Sequence, residues 1–372
     1  MKKIKVFLGK RSYDILIGKG LIGRCGPLLK NLGLGHDALI ITNKRLSGLY
    51  GKRLSTTLRK SGFSPRFELV RDSEKAKSFA ALEKLLSRIS RYDINKKPFI
   101  IALGGGVVGD LAGFAASIYK RGIPYVQLPT TLLAQVDSSI GGKTAVDLPV
   151  AKNMAGSFYQ PRIVISDTET LKTLSPRQIR NGLAEVVKYG VIKDPGLFSF
   201  IESNYRRIIN CDMEAMEHII YRSARIKADV ASKDEFDRKG IRAILNYGHT
   251  IGHAIETAAE YSGRYNHGEA VALGMLIAGR IAVRLRILKK AAALKIEGLI
   301  RKIGLPVSVK AVEPSKIYDS HLHDKKFVRG RNRFVLASDI GSVKIVEDVP
   351  DYAIREAINN CAGFAVRRKG RI

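Results

Sequence analysis

The sequence predicts two domains, an α/β domain built on a parallel sheet followed by a mostly α-helical domain. Strand-like and helix-like segments alternate through the N-terminal half, which implies parallel strands joined by crossover helices. Beyond Ser175 long helical periodicities dominate. The chain's 372 residues also exceed the roughly 250–300 that a single hydrophobic core organises. The expected border falls near residues 174–176, giving domains 1–174 and 175–372.

Each element has its own signal. Residues 2–8 alternate apolar and polar side chains at period two, the pattern of a strand with one face buried. Residues 38–42 (ALIIT) form a short apolar run, and 67–70 follow a Ser-Pro turn; both predict strands. Residues 80–89 carry helical spacing, and 98–103 (PFIIAL) predict a buried strand that runs directly into glycines and a helix. From 128 to 153 there is little regular periodicity, which predicts a long loop, and such loops are usually functional. Helices are predicted over 176–190, 213–233, 241–260 and 269–288. A late pair of apolar runs, 333–337 and 343–346, predicts a small hairpin around Asp339, Ile340 and Gly341.

Composition excludes several classes. With 45% hydrophobic and 26% charged residues the chain reads as soluble and globular. No run approaches the ~18 apolar residues of a membrane span, so no membrane is expected. The N-terminus mixes basic and apolar residues without the apolar core of a signal peptide. Cys25, Cys211 and Cys361 are widely separated and form no CxxC, which suits a reducing cytoplasm. The formal net charge is +30. Its cations are spread along the chain, with only short clusters such as Arg367, Arg368, Lys369 and Arg371. Nucleic-acid proteins more often concentrate them on one face with interleaved aromatics, so compositional bias and small anionic ligands are expected ahead of a bound polyanion such as nucleic acid.

Residues 103–110 (LGGGVVGD) sit where a strand ends and a helix begins. Glycine lets the backbone approach a phosphate, and a helix N-terminus offers free amides and a positive dipole end. Gly104, Gly106 and Gly109 match the dinucleotide fingerprint, but the acidic residue expected about 20 positions later is missing. Asp137 is too far along; the turn 72–75 (DSEK) could supply a carboxylate from a neighbouring strand end. That is a nucleotide site built differently from a Rossmann one. The other reading is a tight strand–helix turn without a ligand.

Three of the seven histidines fall within nineteen positions. His249 and His253, four apart in an apolar run, share one helix face. His267 follows a turn-prone stretch and opens a second apolar helix that could fold back toward them. Imidazoles suit a first-row divalent cation; the alternative is a pair of hydrogen-bonded helix histidines and a helix-capping one. Glu185 and Lys188, three apart on an apolar helix, also share a face. A buried carboxylate there needs a partner, either Lys188 or a metal. With His249 and His267, Glu185 makes a two-histidine, one-carboxylate set. In the 128–153 stretch Asp137, Lys143, Lys152 and Asn153 stand among glycines and prolines. Such lysines suit phosphate or carboxylate binding, or are solvated surface residues.

Several linked strings resemble the dehydroquinate synthase family of sugar-phosphate cyclases: GGGVVGDLAGFAAS, KRGIPYVQLPTTLLAQVDSSIGGKTAVD, KN followed by FYQP, GLAEVVKYG, LNYGHTIGHAIE, NHGEAVALGM and HDKK. Their order and spacing cover the chain from about Asp72 to Val335. The resemblance implies an N-terminal NAD-binding, Rossmann-like α/β domain and a helical metal-bearing domain. It implies one zinc or cobalt ion per subunit, held by Glu185, His249 and His267. NAD would be held by Asp72, Glu74, Lys77, Gly105, Gly106, Val107, Val108, Asp110, Thr130, Thr131, Lys143, Lys152, Thr170 and Thr173. Catalytic roles carry over to His253, Lys188, Asp137 and Asp237. Substrate contacts carry over to Arg121, Lys152, Asn153, Lys227, Arg242, Asn246 and Lys326, with Arg121 reaching across a homodimer.

The implied reaction converts 3-deoxy-D-arabino-heptulosonate 7-phosphate to 3-dehydroquinate and phosphate. It passes through transient oxidation by NAD, phosphate elimination, re-reduction and aldol closure. The rivals are another sugar-phosphate cyclase or a metal-dependent polyol dehydrogenase. Departures from the family pattern are few. Ala151 stands where glycine is usual, and Ser73 occupies the middle of the usual DGE turn. Arg238 falls where many members are acidic, leaving Asp237 to carry that carboxylate.

Overall fold

The computed structural model describes residues 1–92, 97–148, 151–260, 263–322 and 332–362. The chain divides into two compact units, Met1–Ser175 with Met213–Arg238, and Pro176–Asp212 with Lys239–Ile372.

Among the described residues the first unit holds nine strands: β1 (Lys2–Val6), β2 (Tyr13–Gly18), β3 (Asp37–Thr42), β4 (Ser64–Leu69), β5 (Pro98–Gly104), β6 (Tyr125–Pro129), β7 (Lys143–Leu148), β8 (Ala151–Phe158) and β9 (Ile163–Asp167). Its helices up to Ser175 are α1 (Cys25–Leu29), α2 (Lys44–Lys60), α3 (Phe79–Tyr92) and α4 (Gly106–Ile118). Seven strands form one sheet in the order β1-β2-β9-β6-β5-β3-β4. All neighbours in it are parallel except β1, which runs against β2. Alternate residues of the central strands feed two cores, because successive side chains of a strand point to opposite faces. Ala38, Ile40, Phe99, Ile101 and Leu103 pack with Leu29, Leu54 and Leu58. Leu39, Ile41, Ile100 and Ala102 pack with Leu82, Leu85, Leu111 and Phe114. A sheet covered on both faces reads as continuous apolar runs, which is why PFIIAL shows no alternation.

Two expectations change here. The stretch 128–153, expected to be a long loop, contains the π-helical turn Ala134–Ser138 and strand β7, which pairs antiparallel with β8. The hairpin was hidden because lysine, aspartate, asparagine and small residues interrupt its few apolar ones, so neither strand forms an apolar run. The expected single border near residues 174–176 matches one edge of the division only. Beyond it α5 (Pro176–Ile192) and α6 (Pro195–Ile209) belong to the second unit, whereas α7 (Met213–Lys233) packs along β1 in the first. Helical periodicity shows that α7 has an apolar face, and does not show which core that face joins.

The second unit holds α5 and α6, then α8 (His249–Ala258), α9 (His267–Arg284), α10 (Lys290–Lys302), α11 (Pro314–Leu322), β10 (Arg333–Asp339), β11 (Ser342–Glu347) and α12 (Asp351–Cys361). β10 and β11 form the expected hairpin, turning at Gly341 with φ 95°. The helix expected over 241–260 is broken. A 3-10 turn, Ile241–Asn246, precedes α8, and Gly248 at φ 78° caps the start of α8. Glycine is required there on two grounds, its left-handed backbone and its neighbour, since a Cβ would come 2.6 Å from Met275 Cγ. Among the described residues no helix is long and apolar enough to cross a membrane.

Candidate active site

In the first unit the glycine run closes β5 and opens α4. From β3 the chain moves outward to β4, and from β5 it moves the other way to β6. The C-terminal ends of β3 and β5 therefore flank the switch point, the usual ligand crevice of an open α/β sheet. Gly105 is the N-cap of α4, and no side chain caps that turn. The first amides of the helix are thus left as donors for an anion. A Cβ at Gly104 would lie 2.6 Å from Val108, so the tight turn itself demands glycine. Val108 is buried and Val107 half-buried.

Several expected residues meet around this turn. Lys77 Nζ, 5% exposed, donates to Asp110 Oδ2 at 2.7 Å and also to Asn153 Oδ1. Burial alone would lower the Lys77 pKa, but the Asp110 carboxylate beside it raises it. Asp110 also goes up, because its burial outweighs the help from Lys77. Asn153 adopts a left-handed φ of 56°, and its backbone N–H donates to Asp147 Oδ1 at 2.7 Å. Lys152 lies 3.8 Å from Glu74, while Asp72 is exposed just before them. Ser73, at φ −160°, is extended, so the turn needs no glycine at that position.

The threonines serve the local architecture. Thr130 N donates to Gly104 O at 2.9 Å, and Thr131 Oγ1 accepts from Ala134 N at 3.2 Å. Thr170 Oγ1 accepts from Gln135 Nε2 at 3.2 Å, and Thr173 Oγ1 donates to Thr170 O at 2.9 Å. Two further ion pairs join expected residues. Lys227 Nζ on α7 donates to Asp137 Oδ1 at 2.8 Å, and Lys143 Nζ donates to Asp237 Oδ2 at 2.6 Å. Asp137 sits on the π-helical turn, and Asp237 is left-handed at φ 57°. Arg121 is exposed in the turn after α4, itself at φ 62°.

In the second unit α5, α8 and α9 build a single cluster. α9 starts at His267 because Asn266 and Glu269 form a capping box. α8 and α9 cross closely, since a Cβ on Gly274 would lie 1.9 Å from Gly248 O. His249 and His267 are thereby brought to a ring separation of 5.3 Å, as the fold-back reading expected. Glu185 on α5 is fully buried. Its Oε1 lies 3.5 Å from His249 Nε2 and 3.4 Å from His267 Nε2. Its Oε2 is paired with Lys188 Nζ, itself buried. One carboxylate oxygen thus meets Lys188, one of the two partners that the sequence left open, and the other meets the two histidines.

Two imidazole nitrogens and a carboxylate oxygen, all within 4.8 Å of one another, are a donor set for a borderline-soft divalent cation. Burial would depress the His267 pKa, yet Glu185 and Glu256 on its two nitrogens push it up to about 10. His253 is exposed, its ring 5.4 Å from that of His249. Arg242 is 3% exposed, and Asn246 ends the same 3-10 turn. Lys326 lies outside the described residues. Two acidic residues escaped the sequence reading. Asp147 lies in β7 and meets Asn153 across a hairpin that the sequence did not reveal. Glu256 could have been found, because His249, His253 and Glu256 stand at i, i+4 and i+7 on one helix face.

Family models of the 3-dehydroquinate synthase N-terminal and C-terminal regions match residues 68–181 and 182–327. A 3-dehydroquinate synthase of Pelotomaculum thermopropionicum is 43% identical over 373 aligned positions, covering all of both chains. Among solved structures, 2-epi-5-epi-valiolone synthase from Streptomyces hygroscopicus, with NAD+ and Zn2+ bound, is similar at TM-score 0.87 and 26% identity. That match covers 98% of this chain and 99% of the other. A 2-deoxy-scyllo-inosose synthase complexed with carbaglucose-6-phosphate, NAD+ and Co2+ matches at TM-score 0.84 and 26% identity, over 97% and 100% of the two chains. With both regions matched in order and a relative this close over its full length, the chain belongs to the 3-dehydroquinate synthase family.

Proposed function

We propose that this chain converts 3-deoxy-D-arabino-heptulosonate 7-phosphate to 3-dehydroquinate and inorganic phosphate, with NAD and one zinc or cobalt ion per subunit. The observation that carries the reading is the convergence of two histidine Nε2 atoms on one oxygen of the buried Glu185. Glu185, His249 and His267 would hold the metal; the amides that open α4, with Lys77 and Asp110, would hold NAD. When bound, NAD would take up and return a hydride, and the metal would polarise the substrate oxygen as a Lewis acid.

The chain's own groups do the rest. Lys188 neutralises Oε2 of Glu185, leaving Oε1 aimed at the histidines. The Asp137–Lys227 and Lys143–Asp237 pairs hold two lysines in fixed positions, so little reorganisation is needed when an anion arrives. Arg242, Lys152 and Lys227 supply cations for a substrate that carries both a carboxylate and a phosphate. His253, exposed beside His249, would hydrogen-bond the leaving phosphate from a ring nitrogen. Arg121 is read as reaching a substrate phosphate across a homodimer, and the reducing cytoplasm as its compartment.

The test is purified protein with the heptulosonate phosphate, a catalytic amount of NAD and zinc. Phosphate release is expected, and it should stop with EDTA. Stoichiometric accumulation of NADH would instead identify a polyol dehydrogenase.

A further inference from the structure

We infer that Glu256 is a positioning residue for the metal centre: its carboxylate anchors Nδ1 of His267 so that Nε2 is presented toward Glu185. The inference rests on reading Glu185, His249 and His267 as the metal ligands. Both histidines are built the same way. His249 has Nδ1 3.2 Å from Tyr247 O and Nε2 3.5 Å from Glu185 Oε1. His267 has Nδ1 3.4 Å from Glu256 Oε2 and Nε2 3.4 Å from the same Glu185 oxygen. An imidazole has two ring nitrogens, so anchoring one decides which faces a cation, and in which tautomer.

The two anchors differ in kind. The Tyr247 carbonyl belongs to the backbone just before α8, whereas Glu256 is a side chain reaching His267 from the neighbouring helix. Its side chain is only 11% exposed, against 32% for His267, so the carboxylate side of the contact is sheltered from water. His267 is the first residue of α9, with no helical turn before it to restrain its ring. Glu256 supplies that restraint and, as an anion, makes the ring a stronger donor. A competing arrangement is present in the same residues. His253, Glu256 and His267 also offer donor atoms within 4.8 Å of one another. His267 Nδ1 cannot hold Glu256 and a cation together, so the two arrangements exclude each other at that nitrogen.

The experiment titrates the full chain, stripped of metal, with Co2+ and records the visible d–d spectrum as well as the affinity. Wild type, E256A, E256Q, E256D and E185A are compared. Wild type is expected to bind one Co2+. E256A should bind it about 10–100-fold more weakly with the same band positions. E256Q, which can still accept the Nδ1 hydrogen, should lose less than E256A, and E256D should recover part of the loss. E185A should change the spectrum itself. Unchanged affinity in E256A overturns the inference, and so does a loss-of-ligand spectrum in E256A like that of E185A. Failure of wild type to bind Co2+ overturns the underlying ligand reading instead, a distinct outcome. Should E256A not fold, the nearly isosteric E256Q decides, since any positioning role must still weaken its affinity.

Discussion

Lys77 and Asp110 show how a single contact ties the glycine turn to the segment that follows β4. Lys77 is nearly inaccessible and Asp110 has a side-chain exposure of 18%, so removing one partner leaves a charge in low dielectric. Lys77→Met should therefore cost about 3 kcal/mol of stability, measured by urea unfolding. The double variant Lys77→Met/Asp110→Asn should recover much of it, because no unpaired charge remains. At the proposed metal site, Glu185→Ala should abolish stoichiometric zinc binding by metal analysis and bring phosphate release down to the EDTA level. Retention of both zinc and turnover would reject the ligand assignment. Most of these residues were legible in the sequence, since Glu185, Lys188, His249 and His253 are placed by helical spacing alone. Pairings between distant segments were not: Lys77 and Asn153 are 76 residues apart, and only the sheet and hairpin bring them together.

The α9 N-terminus positions His267, and its capping box is reinforced by Arg177, which grips Glu269 with Nε at 2.9 Å and Nη2 at 2.7 Å. Asn266→Ala should cost about 1 kcal/mol and also weaken zinc binding, because His267, the proposed ligand, sits on the frayed turn. Burial pushes the Glu269 carboxyl up, but Arg177 and the Asn266 amide together hold it below its usual range. A lowered folded-state pKa means that its stabilisation is present above about pH 4.3, the unfolded value, and is lost as the pH falls through the folded value. Glu269→Gln should flatten that acid limb in unfolding experiments from neutral pH downward. The α8–α9 crossing depends on the absence of side chains, so Gly274→Ala should destabilise by roughly 1–3 kcal/mol and loosen the histidine pair. The sequence showed two apolar helices there but misjudged the start of α8. Helical periodicity runs on through Tyr247 and Gly248, whereas the left-handed glycine ends the preceding turn.

At the scale of the whole chain, the net charge of +30 acts as a field as well as a set of contacts. A doubly anionic substrate should be drawn toward it, and kcat/KM should fall as ionic strength rises, because the Debye length shrinks to about 10 Å at 0.1 M salt. A kcat/KM indifferent to salt would show that the charge plays no part in substrate capture. Connectivity is where sequence reading was weakest, since α7 returns to the first unit after two helices of the second. The sequence by itself determined the fold class, the glycine turn, the helix faces that carry Glu185, His249 and His253, and the family. These depend on local periodicity, backbone freedom and motif spacing, all written along the chain. Only the tertiary structure decided which core α7 serves, that Glu185 spends one oxygen on Lys188 and the other on the histidines, and that Glu256 meets His267. Those outcomes depend on which buried charges find each other once helices cross, a question of distance in space that position along the chain does not encode.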